Sequence, residues 1–373
     1  MAAKSTFELR QQVGQLMIMG FDGLTVSARL RSMLSAFHPG GMILFKRNIE
    51  EAAQVHALLG ESRKLVSAPM FLCVDLEGGT VDRLRDVIAP APSVTDVSAT
   101  GSKKLFRQHG RGIGEELHAL GLNVDFAPSL DLAFEASKSV LGSRTVSADP
   151  HETIRFAREY LGGLREAGVL GCGKHFPGLG EANLDSHSNL PCIVKPWNDL
   201  WAEDLVPYRK MRKALPFVMV GHAAYPGVTG DHTPASLSQK WMTDILRKKI
   251  GYRGLIISDD LDMGGVLAST SIEDAAIETL RAGADLFLVC QRQENVWRSF
   301  EAVHNRAETD SKFANLVAEK VARVQGFKKK WRALITSIAP PPSGKTVDRL
   351  RRQMWELSEQ VRLHSLSSAP VKA

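Results

Sequence analysis

Short apolar runs alternate along the chain with longer segments in which apolar residues recur at helical spacing. The short runs have the length of strands, and strands that alternate with helices are typical of βα units in a parallel sheet. Eight runs predict strands, at residues 15–21, 41–45, 70–75, 123–127, 171–175, 217–221, 254–259 and 284–289. Helical patterns lie between them, for example at residues 51–65, 103–120, 150–167, 237–250 and 272–282.

The number of strands bears on the architecture. Eight strands with intervening helices favour an α/β fold of the closed (β/α)8, TIM-type barrel over an open, doubly wound sheet. Neither GxxxxGK[ST] nor a GxGxxG after a strand is present, which argues against nucleotide-binding forms of the open sheet. We expect one catalytic barrel domain at residues 1–336. Residues 337–373 then form a break at three consecutive prolines and a C-terminal helical tail, with a helix at 346–363.

Composition adds limits on location and partners. Of the 373 residues, 44% are hydrophobic and 24% are charged, as is ordinary for a globular chain. The first ten residues lack the apolar core of a signal peptide, and no apolar run approaches the roughly 18 residues of a membrane span. We therefore expect a cytoplasmic protein without a transmembrane segment. The cysteines have no zinc-like spacing and predict buried free thiols and no metal site: Cys73, Cys172, Cys192 and Cys290.

The net charge of +6 is concentrated near the C-terminus. Residues 323–352 hold nine lysines and arginines against one acid, Asp348, so this segment carries +8 and the other residues sum to −2. A nucleic-acid enzyme is expected to carry positive charge along its active groove, so we predict no nucleic-acid partner. A run such as Lys328, Lys329 and Lys330 is typical of a solvated face at a helix end. The alternative is a surface that attracts anionic substrate fragments or an anionic membrane.

Charged residues stand at the carboxyl ends of several predicted strands. Asp75 ends the third strand, Lys174 and His175 end the fifth, His222 follows the sixth and Asp259 ends the seventh. Barrel enzymes carry their chemistry at this end, and a purely structural role would require several separately paired buried charges. We therefore expect a catalytic site there.

The loop after the fifth strand contains a second candidate group. This Gly- and Pro-containing loop reaches Asp185 and His187. An Asp and a His two residues apart are often only turn formers, but this pair follows a strand that already carries Lys174 and His175. A carboxylate beside an imidazole can orient the ring and raise its basicity, which produces a proton carrier near neutral pH.

Two adjacent carboxylates, Asp259 and Asp260, end the seventh strand. Neighbouring residues on a strand point to opposite faces, so only one of the two can enter a pocket easily.

These motifs, in this order, resemble glycoside hydrolase family 3, and within it the single-domain bacterial β-N-acetylglucosaminidases of cell-wall recycling. The resemblance runs from about residue 15 to about residue 288. It rests on Gly-Gly-Met-Ile-Leu-Phe-Lys-Arg-Asn-Ile at 40–49, Asp-Leu-Glu-Gly-Gly at 75–79, Asp-Phe-Ala-Pro at 125–128, Lys-His-Phe-Pro-Gly at 174–178, Asp-Ser-His at 185–187 and Ser-Asp-Asp-Leu at 258–261. The combination of Lys-His-Phe-Pro-Gly with Asp-Ser-His is highly specific.

The resemblance implies a retaining exo-β-N-acetylglucosaminidase that removes terminal N-acetylglucosamine from carbohydrate substrates, namely peptidoglycan fragments, without a cofactor. It implies Asp259 as nucleophile and His187 as acid/base, supported by Asp185. The implied contacts to the sugar are Asp75, Arg144, Lys174 and His175. Hydrolysis assisted by the substrate's acetamido group commonly employs a second carboxylate, whereas one inward carboxylate and a distant proton carrier fit a covalent glycosyl-aspartate better.

Several positions depart from the family pattern. Thr80 follows Glu-Gly-Gly where relatives often carry arginine, and Leu179 stands where many have histidine. Glu181 and Ala182 replace a frequent Asp-Thr, and residues 133–143 are atypical. We expect these positions at the mouth of the site, where they bear on the leaving group more than on the chemistry.

Three other functions stay open. A histidine acid/base is neutral after it donates its proton and repels phosphate less than a carboxylate does, so a β-N-acetylglucosaminide phosphorylase is an alternative. A family 3 β-glucosidase typically has Ser-Asp-Trp at the nucleophile and an acid/base from a further domain, whereas this chain has Ser258, Asp259 and Asp260. A non-catalytic sugar-binding barrel is the third alternative. The residues do not determine the oligomeric state.

Overall fold

The fold is built on a closed barrel of eight parallel strands that follow one another in chain order. The computed structural model describes residues 6–182, 184 and 189–368. The first strand pairs with the second and with the last, since Ile18 lies opposite both Gly41 and Leu288. The barrel strands are β1 (Met17–Met19), β2 (Gly41–Leu44), β3 (Phe71–Val74), β4 (Val124–Asp125), β5 (Leu170–Phe176), β6 (Phe217–Val220), β7 (Leu255–Asp260) and β8 (Leu286–Val289).

Helices surround the barrel, and a two-stranded antiparallel ribbon (Leu76–Gly78 with Val81–Asp82) follows β3. The α-helices of the described residues are α1 (Thr6–Gly14), α2 (Ala28–Phe37), α3 (Ala52–Lys64), α4 (Val94–Ala99), α5 (Lys103–Ala119), α6 (Lys138–Leu141), α7 (Pro150–Glu166), α8 (Trp197–Ala202), α9 (Val206–Met211), α10 (Pro226–Thr229), α11 (Gly264–Leu267), α12 (Ile272–Ala282), α13 (Gln293–Thr309), α14 (Ser311–Lys330), α15 (Arg332–Thr336) and α16 (Gly344–Ser368).

The barrel strands are continuous apolar runs because both of their faces are covered. Every residue of β2, β3, β6 and β8 is buried, as expected for parallel strands with helices outside and packed side chains inside. All eight predicted strands are present, which confirms the predicted barrel. No helix within the described ranges combines the length and the apolar composition that crossing a bilayer requires.

The ends of the helices follow from local capping. Helix α7 begins where expected, because the Asp149 carboxylate accepts the amide of His151 at 2.8 Å and Pro150 occupies the first helical position. The segment predicted as a helix at 237–250 instead forms a π-helix at Lys240–Lys249, after a 3₁₀ turn at Ala235–Leu237. Periodicity locates such a segment but does not report the pattern of its backbone hydrogen bonds.

Helix α14 closes the amino-terminal end of the barrel. The Phe327 ring packs against Phe71 and Phe217, with ring centroids 6.0 and 5.1 Å apart. The ammonium group of Lys328 donates to the side-chain oxygen of Gln15 at 2.9 Å and to the carbonyl of Gly40 at 3.0 Å. Lys328 is therefore buried, and the prediction of a wholly solvated lysine run is wrong at this residue.

The C-terminal helix α16 packs along α4 and α5. Its buried side chains recur at helical spacing: Leu350, Met354, Leu357 and Val361. At its edge, Arg349 forms an ion pair with Glu115 of α5 at 3.0 Å. The helix predicted at 346–363 is longer than expected at both ends.

Three of the four cysteines are buried, as expected. Cys192 is exposed, which corrects the prediction for that residue. It follows Pro191 in the connection between β5 and α8, beyond the closely packed strands that bury the other three thiols.

Candidate active site

A cavity opens at the carboxyl ends of the barrel strands. Five of the predicted site residues line it together: Asp75, Arg144, Lys174, His175 and Asp259. They arrive from four places in the chain, because Asp75 follows β3, Lys174 and His175 lie on β5, Asp259 lies on β7 and Arg144 ends a 3₁₀ turn at Gly142–Arg144. The other two predicted residues, Asp185 and His187, lie outside the described residues.

A four-residue ionic cluster forms one wall of the cavity. The ammonium group of Lys174 lies 2.7 Å from Asp75 Oδ1 and 2.7 Å from Glu77 Oε1. Glu77 in turn accepts two hydrogen bonds from the Arg144 guanidinium, at 2.8 and 2.9 Å. Such a bidentate pair fixes the plane of both groups. The cluster therefore holds the Lys174 and Arg144 side chains in defined positions at the cavity.

The cluster keeps Glu77 and Lys174 ionised in spite of their burial. Burial favours the neutral form of Glu77, but Arg144 and Lys174 outweigh it and hold the Glu77 pKa well below its usual range. Burial likewise opposes the charge on Lys174, but Asp75 and Glu77 raise the Lys174 pKa above its ordinary value. Asp75 keeps a fifth of its side chain exposed, and Arg144 nearly as much, so both groups remain accessible to a ligand.

A second pair orients His175. Its ring Nδ1 lies 2.7 Å from Asp131 Oδ2, and Asp131 also accepts the backbone amides of His175 at 3.2 Å and of Leu179 at 2.7 Å. Burial raises the Asp131 pKa, but His175 and these hydrogen bonds lower it below its ordinary value. An ionised Asp131 at Nδ1 leaves Nε2 as the ring nitrogen available to a ligand.

Asp259 and Asp260 both line the cavity, which contradicts the expectation that only one of them enters it easily, but their environments differ. Burial raises the Asp259 pKa, but the nearby His222 and His175 together with the Asp260 amide bring it below its ordinary value. Burial, reinforced by the charges of Asp262 and Asp259, raises the pKa of Asp260 to about 7 although two amides donate to it. Those amides belong to Asp262 and Cys290, so the Asp260 carboxylate links the ends of β7 and β8. Asp259 is thus the carboxylate that is ionised at neutral pH.

His222 holds the end of β7, which carries Asp259, through a hydrogen bond to its backbone. The imidazole is fully buried, with Nδ1 2.6 Å from the hydroxyl of Ser236 and Nε2 2.9 Å from the backbone carbonyl of Asp260. A carbonyl only accepts, so Nε2 donates to it and positions the end of β7.

Described residues on both sides of the segment that carries Asp185 and His187 form contacts with neighbouring parts of the chain. On one side, the Tyr225 hydroxyl donates to the carbonyl of Gly178 at 2.6 Å. On the other, the ammonium group of Lys195 lies 2.8 Å from Asp204 Oδ2 and also reaches Glu181, at 3.2 Å. Lys195 thereby joins the two stems of the loop.

Three residues of the site were not identified from the sequence: Glu77, Arg83 and Asp131. Arg83 lines the cavity, and its buried Nε has no hydrogen-bond partner among the described residues. Glu77 and Asp131 each follow a predicted strand closely, so the strand-end criterion that selected Asp75 could have selected them too. Their partners, however, are distant in sequence, and no local pattern reveals those pairs.

This arrangement can bind an uncharged polyhydroxylated ligand and present a carboxylate to it. Charged donors and acceptors line the cavity alongside the apolar side chains of Phe45, Phe126 and Met219. Within the described part of the chain, no group of three or more His, Cys, Asp or Glu side chains is placed to hold a metal ion.

A closed parallel barrel with ionised groups gathered at its carboxyl end defines an enzyme of the (β/α)8 class. The sequence pattern of the glycosyl hydrolase family 3 N-terminal domain matches residues 8–326. The chain therefore belongs to glycosyl hydrolase family 3, which confirms the resemblance and the predicted enzyme class, a glycoside hydrolase.

Relatives and solved structures agree with this family. A beta-hexosaminidase of Thiobacillus denitrificans is 39% identical over 262 residues, which cover 68% of this chain and 72% of that protein. A beta-hexosaminidase of Chromobacterium violaceum is 33% identical over a match that covers 88% of this chain and 84% of that protein. The family 3 β-N-acetylglucosaminidase of Paenibacillus sp. superposes with a TM-score of 0.88 at 32% identity, over 95% of this chain and 68% of that one. The structure of NagZ from Neisseria gonorrhoeae superposes with a TM-score of 0.75 at 28% identity, over 92% of this chain and 97% of that one.

Proposed function

We propose that this chain is a retaining exo-β-N-acetylglucosaminidase that forms a covalent glycosyl-aspartate at Asp259. The observation that carries the proposal is the position of Asp259, an ionised carboxylate that lines the same cavity as Lys174, His175 and Arg144. The names of the relatives, beta-hexosaminidases and β-N-acetylglucosaminidases, support the choice of the sugar.

The proposed reaction proceeds in two displacements. In the first, a carboxylate oxygen of Asp259 bonds to the anomeric carbon while the bond to the leaving oxygen breaks, and His187 gives that oxygen a proton. In the second, His187 removes a proton from water, the water oxygen bonds to the anomeric carbon and the ester to Asp259 breaks. Two inversions retain the configuration. Asp185 orients the His187 ring and stabilises its charged form.

The sugar contacts follow from the cavity wall. Asp75 accepts from sugar hydroxyls, because its side chain stays partly exposed while Lys174 fixes its orientation. Lys174, Arg144 and His175 donate to the ring substituents, and Glu77 and Asp131 hold these donors in place. Arg83, whose buried Nε lacks a partner among the described residues, is a further donor. Donors in fixed positions stabilise a transition state without reorganisation.

The proposed natural substrate is a peptidoglycan fragment with a terminal, non-reducing β-linked N-acetylglucosamine, and the proposed location is the cytoplasm. Both parts rest on the motifs shared with cell-wall-recycling enzymes. The four free thiols agree with a reducing compartment.

A comparison of hydrolysis and phosphorolysis tests the reaction type. Purified protein is assayed with p-nitrophenyl N-acetyl-β-glucosaminide, with the matching β-glucoside as a control, each in the presence and absence of phosphate. We expect the free sugar from the first substrate alone, at a rate independent of phosphate. Formation of N-acetylglucosamine 1-phosphate would instead identify a phosphorylase, faster cleavage of the glucoside a β-glucosidase, and no turnover a binding protein.

A further inference from the structure

A second cavity, of about 630 Å³, lies at the opposite end of the barrel from the active site. The first residues of β5 and β7, Leu170 and Leu255, border it, whereas Lys174 and Asp259, near the other ends of the same strands, line the active site. The end of α14 and residue Trp331 close it on another side. The proposed glycosidase reaction uses none of its residues.

Positive charge dominates the lining of this cavity. Eight lysine or arginine side chains line it, and no acidic residue is among the described residues that do so. Arg107 and Arg323 have carboxylate partners just outside, Glu159 at 2.8 Å and Asp285 at 3.2 Å. The other six have no ion-pair partner in the part of the chain that the structure describes: Arg158, Arg165, Arg212, Lys213, Arg253 and Lys330.

So many unpaired cations around one concave surface repel one another and attract a counter-ion. A concave, apolar-walled site focuses the field of its charges and raises the local concentration of ligands of opposite sign. Guanidinium groups match phosphate oxygens in bidentate geometry. Several arginines around one cavity therefore suit a ligand with more than one phosphate group.

The floor of the cavity is apolar, which adds a second requirement for the ligand. Leu161, Leu215 and Phe327 contribute to it, with the partly exposed indole of Trp331 at one side. A β-carbon at Gly162 would lie 2.0 Å from an Arg107 guanidinium nitrogen, so a larger residue there would displace the guanidinium from its position against α7. Aliphatic and aromatic side chains below a ring of cations fit an anion that also has an apolar part.

We propose that this cavity binds a small organic polyanion, with two or more phosphate groups on an apolar or aromatic body, at a site separate from the active site. The volume is in the usual range of small-molecule sites, about 300–1,000 Å³. A flat membrane surface or a folded partner would contact the rim and leave the apolar floor uncovered, so the concave shape favours a small ligand.

Calorimetric titration with Mg²⁺-free tripolyphosphate, ATP and adenosine at physiological salt tests the proposal. Two double variants are compared: Arg165→Gln with Arg212→Gln in the cavity, and Lys345→Gln with Arg352→Gln on α16, which do not line it. Both remove two exposed positive charges, so diffuse attraction changes equally. We expect ATP to bind more tightly than tripolyphosphate and adenosine not to bind. The cavity variant should weaken both anions by about tenfold or more, and the α16 variant by less than about twofold.

Three results would overturn the proposal. One is absence of binding by wild type at millimolar anion, and another is equal weakening in the two double variants. The third is binding to phosphatidylglycerol vesicles that the cavity variant abolishes, without binding of either small anion. If tripolyphosphate and ATP bind equally, the apolar part of the proposed ligand is wrong. Because the readout is binding, these outcomes are independent of glycosidase activity.

Discussion

Asp259 and Asp260 follow each other on β7, yet their carboxyl pKa values move in opposite directions. The Asp259 pKa falls because His222, His175 and a backbone amide offset its burial, whereas burial and two neighbouring carboxylates raise that of Asp260 to about 7. A nucleophile must be ionised at the working pH, and a carboxyl that ties two strands through amides can be neutral without loss of that role.

The first prediction follows from this difference. Asp259→Asn should preserve the fold and lower kcat by more than about 10³-fold, since an amide cannot form the glycosyl ester. Asp260→Asn, which keeps an acceptor for the Asp262 and Cys290 amides, should lose far less. A 5-fluoro N-acetylglucosaminyl donor, followed by peptide mass spectrometry, should label Asp259. A label on Asp260, or none with a competent donor, would assign the reaction to another carboxylate or to the substrate's acetamido group.

The second prediction concerns proton transfer by His187. His187→Ala should slow glycosides with poor leaving groups about 10²–10⁴-fold while activated aryl glycosides lose much less, because only the former need the proton. The measurement is kcat/KM across a series of aglycone pKa values. The control is His151→Ala, because His151 is exposed at the start of α7. Equal losses for all aglycones would mean that His187 positions the loop and transfers no proton.

The third prediction concerns the ionic cluster at the cavity wall. Glu77→Gln leaves Lys174 and Arg144 short of a buried counter-charge, so the free energy of unfolding should fall by about 3–5 kcal/mol. Glu135→Gln removes one partner of the exposed Lys138 pair and should change it by less than about 1 kcal/mol. Urea denaturation at pH 7 measures both. Similar values for the two variants would show that the cluster contributes no more than a surface ion pair.

The same cluster predicts acid sensitivity. The Glu77 pKa is lower in the folded than in the unfolded protein, so the unfolded state binds more protons between the two values. The stabilisation from Glu77 is complete above its unfolded pKa of about 4.3 and is lost as the pH falls towards the folded value. Glu77→Gln should therefore flatten the dependence of Tm on pH below about pH 4.3, whereas Glu135→Gln should leave it unchanged.

The fourth prediction concerns Lys328, which is buried at the amino-terminal end of the barrel. Burial lowers its pKa to about 7. Its ordinary value is 10.5, so the unfolded state binds more protons between pH 7 and 10.5 and the stability of the protein should rise across that window. Lys328→Met should lack this rise, and its Tm relative to wild type should fall from pH 7 to pH 10.5. Exposed Lys329→Met is the control, and a parallel course of all three curves would contradict the lowered pKa.

The fifth prediction concerns substrate capture by the basic segment at residues 323–352. Lys330 lines the cavity at the amino-terminal end. On β5, the four steps from Leu170 at that cavity to Lys174 at the active site span roughly 13 Å. Charges at that end act weakly on the mouth, because screening at physiological salt extends about 8 Å. Lys329→Gln with Lys330→Gln should therefore leave the salt profile of kcat/KM for an anionic muropeptide unchanged. A shallower salt dependence in the variant would show that these two lysines help to attract the anionic substrate.

Periodicity and strand-end chemistry predicted the barrel and four of the lining residues, because both depend on local sequence. The fifth, Arg144, was implied only by the resemblance to the family. Buried strands are short apolar runs, and a charge directly after such a run must lie at the mouth. The Asp131–His175 contact joins residues 44 positions apart, so neither residue indicates it alone. For the same reason, the run of three lysines at the end of α14 did not indicate that Lys328 is buried at the amino-terminal end of the barrel.

Residues at the mouth of the site were harder to predict from the sequence. Arg83 stands three residues beyond Thr80, the position where the family pattern is interrupted, and only the ribbon after β3 places its side chain at the cavity. The roles of Asp185 and His187 stay predictions, since both lie outside the described residues.

The pairing of β1 with β8 has a consequence for biosynthesis. Met17 lies opposite Phe287, so the ring cannot close until Phe287, 270 positions further along the chain, has left the ribosome. Until then the edge of β1 that β8 later covers is unpaired, and such an edge is a template for association with other chains. Helix α14, whose Phe327 and Lys328 close the amino-terminal end of the barrel, is synthesised later still. A chain that ends before α14 would have its barrel open at the amino-terminal end, so translational arrest in that region should direct the nascent protein to chaperones.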